Sequence, residues 1–308
     1  MTDNNGFINT NTPRESIVFA NGDYVVKKPT ATNPAHIKVW IKKQISAKQI
    51  VENLLQKAKY SKQYFVPKIT EISDTKTPYV HEERLVGQPV TKKFFENLTP
   101  EQQEKLYDAL VAFIYDMNHS WPILNISSLF EEIDDKGYNL AKVLESIKQH
   151  ISKEDINKIN TIYKFFVSNS NMLESRVFFH GDMNENNMFY DTERDVVSFL
   201  DFAESKYENA EYMFDHDLIK LPWLDKDKLI SKYTKTDKSI KIKSDKNMLD
   251  LFNALRAIQW TGESLILQPK QAHIYKIIFK EKINDLERAY KKCVEAFQLQ
   301  QMASKQHL

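Results

Sequence analysis

The stretch "FFHGDMNENNMFYDTERDVVSFLDF", Phe178–Phe202, sets three groups of Asp and Asn between short apolar runs. The flanking runs "RVFF", "NMFY" and "VVSFL" read as strands, so the polar residues fall in a strand–loop–strand setting. Asp182 follows His180 and Gly181, Asn187 lies five positions later, and Asp201 ends the last apolar run. A carboxylate at a strand end and an amide in a neighbouring loop are oxygen donors. Mg²⁺ takes such donors, commonly one or two carboxylates completed by substrate phosphates. Asn187 and Asp201 therefore form a candidate metal pair. Asp182 is a candidate general base, His180 a brace for the loop, and Gly181 a residue that lets the backbone turn tightly. Taken singly, Asp, Asn and Gly are ordinary turn formers, and Asn184 and Asn186 are read as no more than that. The four fixed positions of H-G-D-x-x-x-x-N are another matter: average residue usage gives such a pattern by chance on the order of once in a thousand chains of this length.

The rest of the chain bounds the possibilities. It has 308 residues, 42% of them apolar, and 43 basic against 42 acidic side chains, for a net charge of +1. That balance does not suit a chain built as a whole for nucleic acid or an anionic membrane. Cys293 is the single cysteine, which rules out an intramolecular disulfide. The opening "MTDNNGFINTNTPRES" has no apolar signal core, and no run reaches membrane-spanning length, so a cytoplasmic protein with no membrane or nucleic-acid partner is expected. Only six glycines are present, and none belongs to a G-x-x-x-x-G-K or G-x-G-x-x-G phosphate loop; H-E-x-x-H is also missing.

Patterning divides the chain into an α+β arrangement: a small β-rich N-terminal lobe over 1–86 and a larger, mainly helical C-terminal lobe over 87–308. "SIVFA" and "DYVVKKP" flank Asn21-Gly22, a hairpin signal. Asn33-Pro34 marks a helix start, and Ala47, Ile50, Val51 and Leu54 give that helix one apolar face. "YFVPKITEI" and "PYVHEERLV" are further strands. Thr99, Pro100 and Gln102 make a capping box ahead of a long helix, and Ser152 with Asp155 marks another start. Residues 247–265 and 270–299 read as helices, the segment 205–246 is lysine-rich with no clear period, and the tail from Met302 reads as disordered.

"HGDMNENN" followed by "FLDF" resembles the core of the aminoglycoside phosphotransferase and choline kinase family, relatives of the protein kinases. In that family H-G-D-x-x-x-x-N stands where protein kinases have H-R-D-x-x-x-x-N, and the downstream Asp-Phe stands where they have D-F-G. The resemblance implies a two-lobed protein-kinase-like fold and a Mg²⁺-dependent transfer of the γ-phosphoryl group of ATP (or GTP) to a small-molecule hydroxyl. It implies Asp182 as base with His180 beside it, and Asn187 and Asp201 as metal ligands. "MFDHDL" is similar to a D-P-x-x-D-L stretch of the family, with Asp217 as its supporting aspartate and Asp215 without the proline. Lys27 resembles the strand lysine on the nucleotide phosphates, in preference to Lys28, which alternation sends to the other face. Glu52 resembles the helix glutamate that pairs with that lysine. The backbone of Glu82, Glu83, Arg84 and Leu85 resembles the interlobe segment that holds the base. The phosphate loop is expected near Thr12 and Ser16. For the acceptor, carboxylates at Glu131, Glu132, Asp134, Asp135, Glu204, Glu208 and Glu211 suit a polycation, and Trp223, Trp260 and Tyr212 would suit a choline-like cage. The competing readings are a kinase-like nucleotide-binding module without turnover and a kinase that acts on a protein.

Overall fold

A computed structural model describes residues 16–30, 32, 34–120, 140–169, 176–210, 213–214, 218–221, 223–239, 246–267 and 271–306. Strands β1 (Ser16–Asn21) and β2 (Tyr24–Pro29) pair antiparallel, with Asn21 opposite Tyr24. The two-residue turn is therefore Gly22–Asp23, one step later than the Asn21-Gly22 expected. Gly22 takes φ +60, so the glycine fills the first turn position, where a left-handed backbone is required, and Asn21 stays in the strand. Strand β2 pairs with β4 (Tyr79–Glu83), and β4 with β3 (Ile69–Ser73), giving the order β1-β2-β4-β3. Side chains alternate across this sheet. Strand β4 buries Val80 and Glu82, and β2 buries Lys27. An acid and a base on the buried face of one small sheet are what that sheet brings to the site.

Helix α1 (Pro34–Lys57) is a single helix, with Asn33, its expected cap, outside the described residues. Its buried face is the expected Ala47, Ile50, Val51 and Leu54, extended by Trp40 and Gln44. Past the helix end, the buried carboxylate of Asp116 accepts the N–H groups of Lys59 and Tyr60, both at 2.8 Å, and the Tyr64 hydroxyl at 2.9 Å. Asp116 belongs to α3 (Pro100–Ser120), so it ties the chain leaving α1 to that helix. Helix α3 opens on the expected capping box: Thr99 N–H donates to Gln102 Oε1, and Gln102 N–H to Thr99 Oγ1. The short α2 (Lys92–Glu96) precedes it, capped by Thr91.

Strand β5 (Gln88–Pro89) joins β7 (Met188–Asp191) and β8 (Val196–Phe199) in a three-stranded sheet, while β6 (Arg176–Phe179) pairs with β9 (Lys206–Asn209). The H-G-D loop is thus slung between two strands of different sheets. A 3-10 turn (Leu218–Lys220) and α6 (Lys226–Thr236) follow. The remaining helices are α4 (Leu140–Ile147), α5 (Lys153–Asn169), α7 (Lys246–Leu267) and α8 (Ala272–Gln306). Helix α8 continues through Met302, where a disordered tail was expected. Helix α5 starts where Ser152 accepts the Asp155 N–H, as the sequence indicated.

The chain divides into two compact units. Met1–Leu129, Val177–Glu208 and Met213–Ser239 form one, and Phe130–Arg176, Asn209–Tyr212 and Ile240–Leu308 the other. The expected boundary near residue 86 falls inside the first unit. The second has a core of its own, built on Leu140, Ile147, Ile159, Leu255, Ile258 and Leu286. Among the described residues no helix is long and apolar enough to cross a membrane.

Candidate active site

The loop after β6 has one backbone solution. Gly181 takes φ +80, and a Cβ there would fall 1.9 Å from the Glu204 carbonyl oxygen, so only glycine fits. His180 is fully buried. Its Nε2 lies 2.8 Å from the Leu200 carbonyl, and its Nδ1 accepts the Asp182 N–H at 3.3 Å. Donating at Nε2 and accepting at Nδ1 requires a neutral imidazole. The ring therefore braces the loop against the end of β8, one residue before Asp201. Asn184 Oδ1 accepts the Asn186 N–H at 2.9 Å, the turn-forming role expected of these residues. Asn187 is buried and donates from Nδ2 to the Asp182 carbonyl at 2.7 Å and to Asp182 Oδ2 at 3.2 Å. Its own carbonyl accepts the Leu200 N–H at 3.1 Å, so the loop and the strand end are stitched together from both sides.

Asp201 sits at φ 67 and ψ 65. Left-handed backbone is uncommon outside glycine, and it is held only where the surroundings over-determine it. Asp201 Oδ1 lies 4.0 Å from Lys27 Nζ, whose nearer partner is Glu82 Oε2 at 2.6 Å. Lys27 and Glu82 are both buried. Burial acts first on the Lys27 ammonium and works against its charge, but the carboxylates of Glu82 and Asp201 outweigh it and hold the group above the ordinary lysine value. Burial is also the first influence on Glu82 and lifts its carboxyl above the usual range, with Lys27 pulling it back.

This pairing corrects one expectation. Glu52 is exposed on α1, within 4.0 Å of Lys48 one turn earlier, and is not the partner of Lys27. The residue of α1 that reaches the cavity wall is Gln44, two turns before Glu52. Glu82 supplies the missing carboxylate because Lys27 and Val25 lie opposite Val80 and Glu82 in the β2–β4 ladder, so both charges project to one face on the diagonal. Lys28 turns to the other face, 5.7 Å from the centre of the Phe19 ring.

Lys27, Glu82, Asp182, Asn187 and Asp201 line one cavity of about 640 Å³. Glu83, Arg84 and Leu85 line it too, but the N–H groups of Glu83 and Arg84 already donate to the Lys68 and Asp23 carbonyls. The donors suit a magnesium ion: Asp201 offers a carboxylate, and Asn187, with its nitrogen on Asp182, offers Oδ1.

No protein-family model matches the sequence, and no curated protein does either. Solved structures do match. The chain is similar to the streptomycin–ATP ternary complex of APH(2'')-IIa, with TM-score 0.64 and 18% identity over 91% of this chain and 92% of that one. It is similar to the GDP complex of aminoglycoside 2'-phosphotransferase-IIIa, with TM-score 0.56 and 12% identity over 92% and 91%. A choline/ethanolamine kinase family protein from Mesorhizobium loti gives TM-score 0.52 and 12% identity over 90% and 86%. The chain has the protein-kinase-like fold of these phosphotransferases. Its small antiparallel sheet and larger helical part are the α+β architecture read from the sequence.

Against that fold, several candidates are redirected. Trp223 is no cage wall: it is buried, stacks on Phe95 at 4.6 Å, and donates from Nε1 to the Val90 carbonyl at 2.8 Å. Trp260 is partly exposed on α7, with the Arg256 guanidinium 5.6 Å from its ring centre. Glu204 forms an ion pair with Lys43. Ser16 lines the cavity, and its Oγ accepts the Trp40 indole N–H at 2.8 Å. Thr12, Glu131, Glu132, Asp134, Asp135, Glu211, Tyr212, Asp215 and Asp217 lie outside the described residues, as does the side chain of Glu208. One residue escaped sequence reading altogether: Lys220, whose Nζ lies 3.2 Å from Asp182 Oδ1.

Proposed function

We propose that this chain is a small-molecule kinase that moves the γ-phosphoryl group of ATP or GTP to an acceptor hydroxyl with the help of Mg²⁺. The observation that carries the reading is the convergence of Lys27 from β2, Asp182 and Asn187 from the loop after β6, and Asp201 from the end of β8 on one cavity. Solved neighbours with ATP and streptomycin or with GDP, and one from the choline/ethanolamine kinase family, support it.

Each residue has a role in this reading. Asp182 accepts the proton as the acceptor O–H bond breaks. The acceptor oxygen forms its bond to the γ-phosphorus, and the bond to the β-phosphate oxygen breaks, leaving a nucleoside diphosphate. Asn187 Oδ1 and the Asp201 carboxylate would hold the magnesium ion, whose charge would offset that of the phosphates. Lys27 sets its ammonium on the phosphates, and Glu82 keeps that ammonium in place. His180 acts at one remove, by fixing the loop on which Asp182 rides. Positioning and fixed charge are the main means by which such sites accelerate the reaction.

The test is a panel of aminoglycosides, choline, amino alcohols and sugars incubated with Mg·ATP or Mg·GTP and read by mass spectrometry. A product heavier by one phosphoryl group, formed only with the metal, is the expected result. No phosphorylated product and no nucleotide turnover would leave a nucleotide-binding module in its place.

A further inference from the structure

Lys220 closes the 3-10 turn Leu218–Lys220, 38 positions from Asp182. Its backbone is firmly held: Leu218 and Leu221, on either side, are both buried, and Leu221 N–H donates to the Leu218 carbonyl at 3.0 Å. From that fixed stem the ammonium reaches Asp182 Oδ1 at 3.2 Å, while the Asn187 amide donates to Oδ2, also at 3.2 Å. Each oxygen of the carboxylate thus has its own donor, one charged and one neutral, on elements that meet only in the tertiary structure. Two donors from two directions fix the plane of a carboxylate; one would leave it free to swing about the other.

The ordinary reading of such a contact is a surface ion pair. Lys220 and Asp182 are each about a third exposed, 33% and 38% of their side chains, and pairs of that kind add little to stability. A pair worth little to the fold yet placed on the cavity's candidate base is better explained by what it does to the base. The other lysine of the site is engaged elsewhere, since Lys27 lies on Glu82 and Asp201.

We infer that Lys220 is a positioning residue of the transfer reaction: its ammonium, together with the Asn187 amide, holds the Asp182 carboxylate in the orientation from which it receives the acceptor's proton. The inference rests on the kinase reading above. Lys220 makes and breaks no bond; it acts through Asp182. Its loss therefore lowers turnover rather than nucleotide affinity.

The experiment is steady-state turnover of Mg·ATP by the full chain and by Lys220→Met, Lys220→Arg, Asp182→Asn and the double variant Lys220→Met/Asp182→Asn, with thermal melting as the folding control. Lys220→Met is expected to lose about tenfold or more in kcat, the scale of a small misplacement of a reacting group, with KM for nucleotide changed by no more than about twofold. Lys220→Arg restores most of the loss. Lys220→Met costs nothing further in the Asp182→Asn background, because the two residues act as a unit. Wild-type kcat in Lys220→Met, an equal loss in Lys220→Arg, or a full additional loss in the double variant would each overturn the role of Lys220 while leaving the kinase reading intact. A wild-type chain that binds Mg·ATP or Mg·GTP but turns over neither with any acceptor of the panel above would overturn the kinase reading, and this inference with it.

Discussion

Lys27 and Asp201 show how differently two residues of one site announce themselves. Asp201 stands in a short pattern whose members are a few positions apart, and spacing of that kind survives in a sequence because a loop and its neighbouring strand are local. So do His180, Gly181, Asp182 and Asn187, whose hydrogen bonds mostly span two to five residues. The partner of Lys27 is not local. Glu82 reaches it through the pairing of β2 with β4, and Lys220 reaches Asp182 from a turn with no recognisable period. Strand alternation separates Lys27, on the buried face that lines the cavity, from Lys28 on the other face. The same alternation applied to "YVHEE" would have put Val80 and Glu82 on one face; a register was needed to bring that face to Lys27. Two predictions belong at this scale. Glu82→Gln leaves a buried ammonium without its nearest counter-charge and should destabilise the fold by about 3 kcal/mol, a broken buried pair costing in that range, whereas Glu52→Gln on the exposed face should leave the melting temperature unchanged. Asp201→Ala should weaken Mg-dependent nucleotide binding, measured by calorimetry with and without the metal, while metal-free nucleotide binding changes little.

Helix starts were the most legible elements, because caps are written in adjacent residues: the Thr99–Gln102 box and the Ser152–Asp155 pair both form as expected. The turn between β1 and β2 slipped by one residue, since Asn-Gly and Gly-Asp are both plausible turns and the strand register decides between them. Helix α6 was hidden because its pattern is dense in lysine and its anchoring is tertiary. Asp225 caps its start by accepting the Lys228 N–H at 3.0 Å. At its far end the buried Asp237 carboxylate meets His119 Nε2 of α3 at 2.7 Å, the Tyr233 hydroxyl at 3.3 Å, and the N–H and hydroxyl of Ser239. Burial pushes the Asp237 carboxyl up, but the Ser239 and His119 hydrogen bonds outweigh it and hold the group below the ordinary aspartate value. A depressed carboxyl stabilises the fold above the unfolded value of about 3.9, and that contribution is lost as pH falls through the folded value. Thermal melts from neutral pH down to about pH 3 should therefore show an acid-side loss of stability that is smaller in Asp237→Asn. The variant should also be less stable than wild type at neutral pH, by on the order of 2 kcal/mol for disturbed buried hydrogen bonds.

At the scale of the whole molecule, the near cancellation of 43 basic and 42 acidic side chains bears on which partners the surface attracts, not on which fold forms. The candidate site is contained in the first compact unit, on elements running from Ser16 to Lys220, and the second unit carries a separate apolar core. The division into a β-rich and a helical part was readable from period and turn signals. The two-unit partition was not, because residues 177–208 return to the unit of the N-terminal strands, and nothing in local pattern records a return. The most direct measurement is turnover of Mg·ATP beside Mg-dependent nucleotide binding, in the wild-type chain and in Asp182→Ala. Both proteins are expected to bind the nucleotide with similar affinity, and the wild type to turn it over with a kcat at least about 10² higher, the usual contribution of a positioned base. Equal turnover in the two proteins, or nucleotide binding indifferent to magnesium, would contradict the assignment of Asp182, Asn187 and Asp201 to a phosphoryl-transfer site.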